Sequence, residues 1–429
     1  MPRQAPLVLV RPLLSSFLLL LAPLASGGDV ETVTPTLETP PLYDDTAGGN
    51  ANGDDPAIWV HPTRPRGSVV ITTAKEGGLY AYSLTGRELQ HIPARPAPGS
   101  GHEPGRLNNV DLVRGFRLST GVKVDLAVAS DRGRDQLRVY AIDPAAALAG
   151  RPPLTDVTDP AVPYVFNSTQ QEVDRAETAY GLAVRQDGTG AYALVSRRHR
   201  TTLGLVRLAA SPGGKVTYER VRTLDLPASF TLPDASTWTP CLEPGEQPQV
   251  EGMVVDGARD VLYAAQEDVG VWRLRADLTG EPVLLDKVKE YGRQDVYDDR
   301  TEECSAGQDR GYGGEHLAAD AEGLTIYDAG RGEGYLLASS QGDDTFAVYD
   351  RGEGNAYVGG FRVGARRGVD GAEVSDGAMV TGAHLGGAFP KGLLVVHDGV
   401  NTPADGDREG TNFKFVDWRR LADALDLRK

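Results

Sequence analysis

Acidic, amide and phenolic side chains open six short apolar runs of this chain. The runs start at Asp54 (followed by Asp55), Asn108 (followed by Asn109, with Asp111 close behind), Tyr180, Glu251, Glu322 and Asp376, and Asp320 stands just ahead of the fifth. Six β-rich runs follow and end in polar residues: Lys75, Asp131-Arg132, Arg197-Arg198, Glu267-Asp268, Gln341 and Asp398. Carboxylates and amides without clustered His or Cys are ligands for hard cations, Ca²⁺ or Mg²⁺ rather than zinc or copper. Calcium is the better fit. More than one ion is expected, because carboxylates crowded at one place repel unless protonated or metal-bound. Lys75, Arg132, Arg197 and Arg198 among such cations would make a phosphate-binding surface, with Arg offering paired donors to phosphate oxygens. The seven His are scattered and suggest no ligand set.

Such chemistry requires an architecture that gathers residues more than three hundred positions apart. Five of the paired runs are followed closely by a third, starting at Gly78, Gln136, Leu203, Gly270 and Thr345, and the sixth third run is Asn412–Trp418. The β-rich runs begin 55, 67, 70, 74 and 58 residues apart. That period is too long and too ragged for a solenoid but suits propeller blades carrying insertions. The expected fold is all-β: a six-bladed β-propeller of mostly four-stranded antiparallel blades around a central channel. In an antiparallel hairpin the start of one strand lies beside the end of the next. The heads of the first strands and the tails of the second therefore meet at one mouth of that channel.

Composition is consistent with this. Of 429 residues, 52 are Gly and 28 are Pro, dense turn punctuation without a low-complexity period, which argues against fibrous or mostly helical chains. The net charge of −16 offers nucleic acid no attractive field, and 40% hydrophobic residues argue against disorder. Residues 1–28 have the pattern of a secretory signal peptide: Arg3 and Arg11, an apolar run over Leu13–Leu21 interrupted at Ser15 and Ser16, then small residues at Ala22, Ala25, Ser26 and Gly27. Residues 29–45 are expected as an extended lead-in and 46–429 as a single propeller domain. The expected product is a monomer without a membrane partner, exported to the periplasm or the exterior.

Cys241 and Cys304 lie in polar, Pro/Gly-rich insertions, and in an oxidising compartment the simplest expectation is one disulfide between them. Cys304–Arg310 also matches the C-x-x-G-x-x-R loop of cysteine phosphatases. That loop requires a strand before the Cys and a helix after it, and neither is suggested by the acidic residues before or the glycines after.

Taken together, Asp54–Pro62, Asn108–Leu112, Tyr180–Leu182, Glu251–Met253, Glu267–Asp268, Glu322–Tyr327, Ser339–Gly342 and Asn412–Asp423 resemble the β-propeller phytases, calcium-dependent alkaline phytases secreted by bacteria. The resemblance covers nearly all of the chain beyond residue 28. It implies a 3-phytase that hydrolyses phosphomonoesters of myo-inositol hexakisphosphate, presented as calcium phytate, and of lower inositol phosphates, with several Ca²⁺ ions, some structural and some bridging substrate phosphates. By the resemblance Lys75, Arg132 and Arg198 are the phosphate-binding bases. Asp54, Asp55, Glu251, Glu267, Asp320, Glu322 and Asp376 are its metal-binding carboxylates, Tyr180 is a further ligand and Asp370 a structural-site ligand. Lys75, Arg132, Arg198, Tyr180 and Glu251 are thereby the catalytic set. The chain departs from the family at Glu76, where a second Lys is common, and at Arg198, where a Lys is common. A calcium-dependent propeller esterase or lactonase would want an apolar acyl pocket in place of three convergent bases. A non-catalytic binding propeller would tolerate loss of the strand-head acids.

Overall fold

The computed structural model describes residues 30–429; the expected signal peptide lies outside the described residues. Each group of runs folds as one antiparallel sheet, and six sheets follow one another along the chain. The first blade comprises Pro56–Trp59, Val69–Thr73, Leu79–Ser83 and Glu88–Ile92. Blades two, three and four begin with Leu107–Arg117, Ala179–Asp187 and Val250–Asp256, and each adds three further strands by consecutive hairpins. Blade five begins at Ala321–Gly330, and blade six contains Ala378–Thr381, Leu393–Asp398 and Gly410–Asp417. Second strands such as Val69–Thr73 and Leu393–Asp398 are wholly buried. Covered on both faces, they have unbroken apolar stretches in place of alternation. The apolar core lies between blades: Val113, Leu126 and Val128 of blade two pack with Ala179, Leu182 and Val195 of blade three.

The segment expected as a lead-in belongs to the sheets themselves. Glu31–Val33 pairs in parallel with Tyr357–Val363, the outermost strand of blade five. Leu37–Glu38 and Leu42–Tyr43 pair antiparallel with Gly410–Asp417, supplying the outer edge that blade six lacks. The ring is thus closed by joining the amino-terminal segment to the last strand, and the propeller's sheets begin at residue 31 rather than 46.

Two insertions stand around blade four. A short hairpin, Phe230–Thr231 with Thr237–Trp238, precedes it, and another, Gln294–Asp298 with Glu303–Gln308, follows it. Cys241 and Cys304 join these insertions as a disulfide with Cα atoms 6.1 Å apart. Cys304 lies inside a hairpin strand and Arg310 pairs with Asp234 at 2.7 Å, so no thiolate loop is assembled.

Candidate active site

Four of the six inner strands carry a β-bulge at the head. The pairing register shifts between Leu107 and Val110, Ala179 and Leu182, Val250 and Met253, and Ala321 and Leu324. The skipped residues are Asn108-Asn109, Tyr180-Gly181, Glu251-Gly252 and Glu322-Gly323. A bulge bends the strand and re-aims the side chain that it holds, which explains how a polar residue at each head reaches the mouth. In three of these pairs, all but Asn108-Asn109, a glycine allows the next blade to close in. A Cβ on Gly181 would sit 2.1 Å from the Glu251 carbonyl oxygen, one on Gly252 2.1 Å from that of Glu322, and one on Gly323 2.6 Å from that of Asp376. Hydroxyls at the second-strand tails stitch the same seam: Thr73 donates to the Asn108 carbonyl, Ser130 to that of Tyr180, and Ser196 to that of Val250.

Glu251, Glu267 and Glu322 meet at the mouth, each offering an oxygen within 4.8 Å of the others. At an effective dielectric near 20, two carboxylates that far apart repel by about 3 kcal/mol, so three cannot all ionise without a cation. The surroundings fit such a cation. Both Asp54 carboxylate oxygens and Glu322 Oε2 are buried without a hydrogen-bond partner among the described residues. Burial, then Glu251, pushes the carboxyls of Asp54, Glu267 and Glu322 well above the ordinary range. Burial and Asp320 lift Asp268 to about 8, and burial followed by Glu251 lifts Asp320 to about 6. The donor set is all oxygen, which suits a hard divalent ion.

Neighbours orient these acids. Tyr180 donates its hydroxyl to Glu251 Oε2, and Asn108 Nδ2 donates to Glu251 Oε1 at 2.6 Å. Gln249 Nε2 lies 3.0 Å from both Glu267 oxygens, and Gln341 Nε2 donates to Asp376 Oδ1 at 2.6 Å. Lys75 Nζ stands 3.4 Å from Asp376 Oδ2 and 3.8 Å from Asp54 Oδ2. Burial would depress its ammonium, but Asp376 and then Asp54 outweigh that and raise it, keeping Lys75 charged. The Arg132 guanidinium lies over the Tyr180 ring, 5.4 Å from its centroid. Arg132 and Arg198 share a cavity with Arg106.

Some expected residues lie elsewhere. Asp55, Asn109 and Asp111 line the channel below the mouth, around a void of about 30 Å³. There Asp55 accepts from Val110 N at 3.0 Å and Asp111 from Val184 N at 2.7 Å, each tying its inner strand to the next blade's. Burial raises both carboxyls, Asp111 to about 6. Arg197 was expected beside Arg198, but it pairs with Glu177 at 3.2 Å, donates to Asn167 Oδ1 and covers the Phe166 ring. As the last residue of its strand it points away from Arg198, so it is not in the basic cluster. Asp370 is held by the buried Lys414 ammonium, which also meets Glu38 at 2.6 Å and Asp398 at 3.0 Å. Asp370, expected as a structural-site ligand, is thus paired with an ammonium. Arg106, Gln249 and the orienting role of Asn108 were missed. Asn108 and Gln249 adjoin marked residues, whereas Arg106 carries no sequence signal beyond its place before a strand head.

The sequence model of the Phytase family matches residues 7–231 and 245–429, leaving out the insertion that holds Cys241. The chain is also 34% identical over 397 residues to the Bacillus subtilis (strain 168) protein named 3-phytase, covering 92% of this chain and 85% of that one. Among solved structures, BBS1N in complex with ARL6DN matches 90% of this chain and 93% of its own with a TM-score of 0.40 and 12% identity, too slight a likeness to carry an argument.

Proposed function

This chain belongs to the Phytase family, and from that premise we propose that it is a calcium-dependent 3-phytase releasing phosphate from phytate at the propeller mouth. The observation that carries the reading is the convergence of Glu251, Glu267 and Glu322 within 4.8 Å, beside Lys75 and a group of guanidiniums. A mouth of acids alone repels a polyanion, and a mouth of bases alone would not need buried, partnerless carboxylates.

Glu251, Glu267, Glu322 and Asp54 would hold the cation, with the Tyr180 hydroxyl beside them. When bound, calcium supplies Lewis-acid polarisation of the phosphoryl oxygen and a more acidic attacking water. Lys75, Arg132 and Arg198 bind the equatorial oxygens and stabilise the charge that grows on them. Tyr180 and Asn108 fix the orientation of Glu251. Hydrolysis breaks one ester P–O bond, leaving the water oxygen on phosphate and a proton on the inositol hydroxyl, without a covalent enzyme intermediate. Export as a monomer is part of the same proposal: the leader-like residues 1–28 and a disulfide both favour an oxidising compartment.

Purified protein given calcium phytate, p-nitrophenyl phosphate and an aryl ester, each with and without chelator, tests this. Phosphate release from phytate that ends on chelation is expected. Ester cleavage without phosphate release would replace the reading by the esterase, and no turnover at all by a binding propeller.

A further inference from the structure

Arg198 stands in a turn over residues 197–200, closed by a bond from Arg200 N to the Arg197 carbonyl at 3.2 Å. His199, the third residue of that turn, has a φ of +57°, at a place where positive φ favours Gly or Asn. Another side chain keeps such a conformation only where its surroundings impose it. What imposes it here is the end of the insertion before blade four, residues 245–249. Gln247 N donates to the His199 carbonyl at 3.2 Å, Arg200 Nη1 to the Gly245 carbonyl at 2.8 Å, and His199 N to Gln249 Oε1 at 2.7 Å. Glu246 Oε1 lies 2.5 Å from His199 Nδ1. Burial and then Arg198 push His199 down to about 4, so the neutral ring donates its Nδ1 proton to the Glu246 carboxylate. The stretch has a firm base: Cys241 is tied to Cys304, and Trp238 Nε1 donates to the Arg293 carbonyl at 2.8 Å. Cys241 lies in the segment that the Phytase family does not match, so the brace is built on an addition to the family pattern.

We propose that Glu246 is a positioning residue for the hydrolysis: by holding the His199 ring it fixes the turn that aims the Arg198 guanidinium at the transferred phosphate. The inference rests on the reading of Arg198 as a phosphate base given above. Glu246 does its work at one remove, through His199, and takes no part in binding phosphate. Without it the turn keeps its backbone bonds to Gln247 and Gln249 but loses the one side-chain bond on His199. The turn can then relax from the left-handed conformation, and Arg198 spends less time in line with the developing charge. Binding of the substrate through its other contacts is unaffected, so the loss falls on kcat more than on KM.

The test is a double-mutant cycle: kcat and KM for calcium phytate, with melting temperature, in wild type, Glu246→Ala, Arg198→Ala and the variant carrying both changes, together with Glu246→Gln. Misplacing a catalytic group by an ångström can cost ~10²-fold, so Glu246→Ala should lower kcat by roughly 10-fold. In the Arg198→Ala background the same change should cost less than about twofold, because no guanidinium remains to be aimed. Glu246→Gln loses the charge but keeps an oxygen to accept the Nδ1 proton, and it should recover most of the rate. A general loosening of the fold would lower kcat by the same factor in both backgrounds, and that additive result overturns the inference. So does a kcat within about twofold of wild type in Glu246→Ala, or a loss in Glu246→Gln as large as in Glu246→Ala. Glu246→Gln decides the matter even if Glu246→Ala folds poorly, since a fall of roughly 10-fold in it, in folded protein, contradicts the hydrogen-bond role. If Arg198→Ala releases phosphate as fast as wild type, the underlying reading of Arg198 fails and this inference with it.

Discussion

At the scale of single residues, Lys75 and Arg132 do different work despite sharing a charge. Lys75 neutralises Asp376 and Asp54 as well as facing the mouth, whereas the Arg132 guanidinium lies over the Tyr180 ring and lines the cavity. Arg132→Ala and Arg198→Ala should each lower kcat for calcium phytate by ~10²–10³, the usual loss for one donor to transition-state charge. Their melting temperatures should stay near wild type, since substitutions outside the core are usually within about ±0.5 kcal/mol. Lys75→Ala should lose both activity and stability, because it strands the buried Asp54 and the half-buried Asp376. Full activity in both Arg variants would remove the phosphate site from these residues. Much of this set was legible in the sequence because hard-cation ligands and phosphate bases are few residue types recurring at equivalent places. Arg197 and Arg198 mark the limit: neighbours at a strand end point to opposite faces, and only the strand's actual end settles which one turns inward.

At the scale of elements, the bulge with its glycine places the carboxylates. Gly252→Ala would drive a Cβ to 2.1 Å from the Glu322 carbonyl oxygen, backbone that cannot swing aside. Blades four and five must then separate, which should cost about 1–3 kcal/mol as overpacking does and lower activity by displacing Glu251 from Glu322. Gly257, in the hairpin turn of the same blade, has nothing within 4 Å of such a Cβ. Gly257→Ala should therefore match wild type in melting temperature and turnover, and equal behaviour of the two variants would discredit the close-approach argument. The repeat of polar head, apolar run and second strand was readable because inner strands obey one periodicity. The closing strands were not. Leu37–Glu38 and Leu42–Tyr43 are two residues each, too short to show alternation, and their partner lies more than 360 residues away.

For the whole molecule, an acidic chain of net charge −16 can collect a polyanion only where cations reverse its local field. Burial and then Glu251 raise the carboxyls of Asp54, Glu267 and Glu322, and ions that bind the folded state alone stabilise it by mass action. Stability and catalysis should therefore depend on the same ions. The most direct measurement is the rate of phosphate release from phytate against free calcium, with melting temperature on the same samples, for wild type and Glu322→Gln. Release should vanish in excess chelator together with a drop in melting temperature and return with calcium, and Glu322→Gln should need more calcium and reach a lower rate. Undiminished release by wild type in excess chelator would contradict the account.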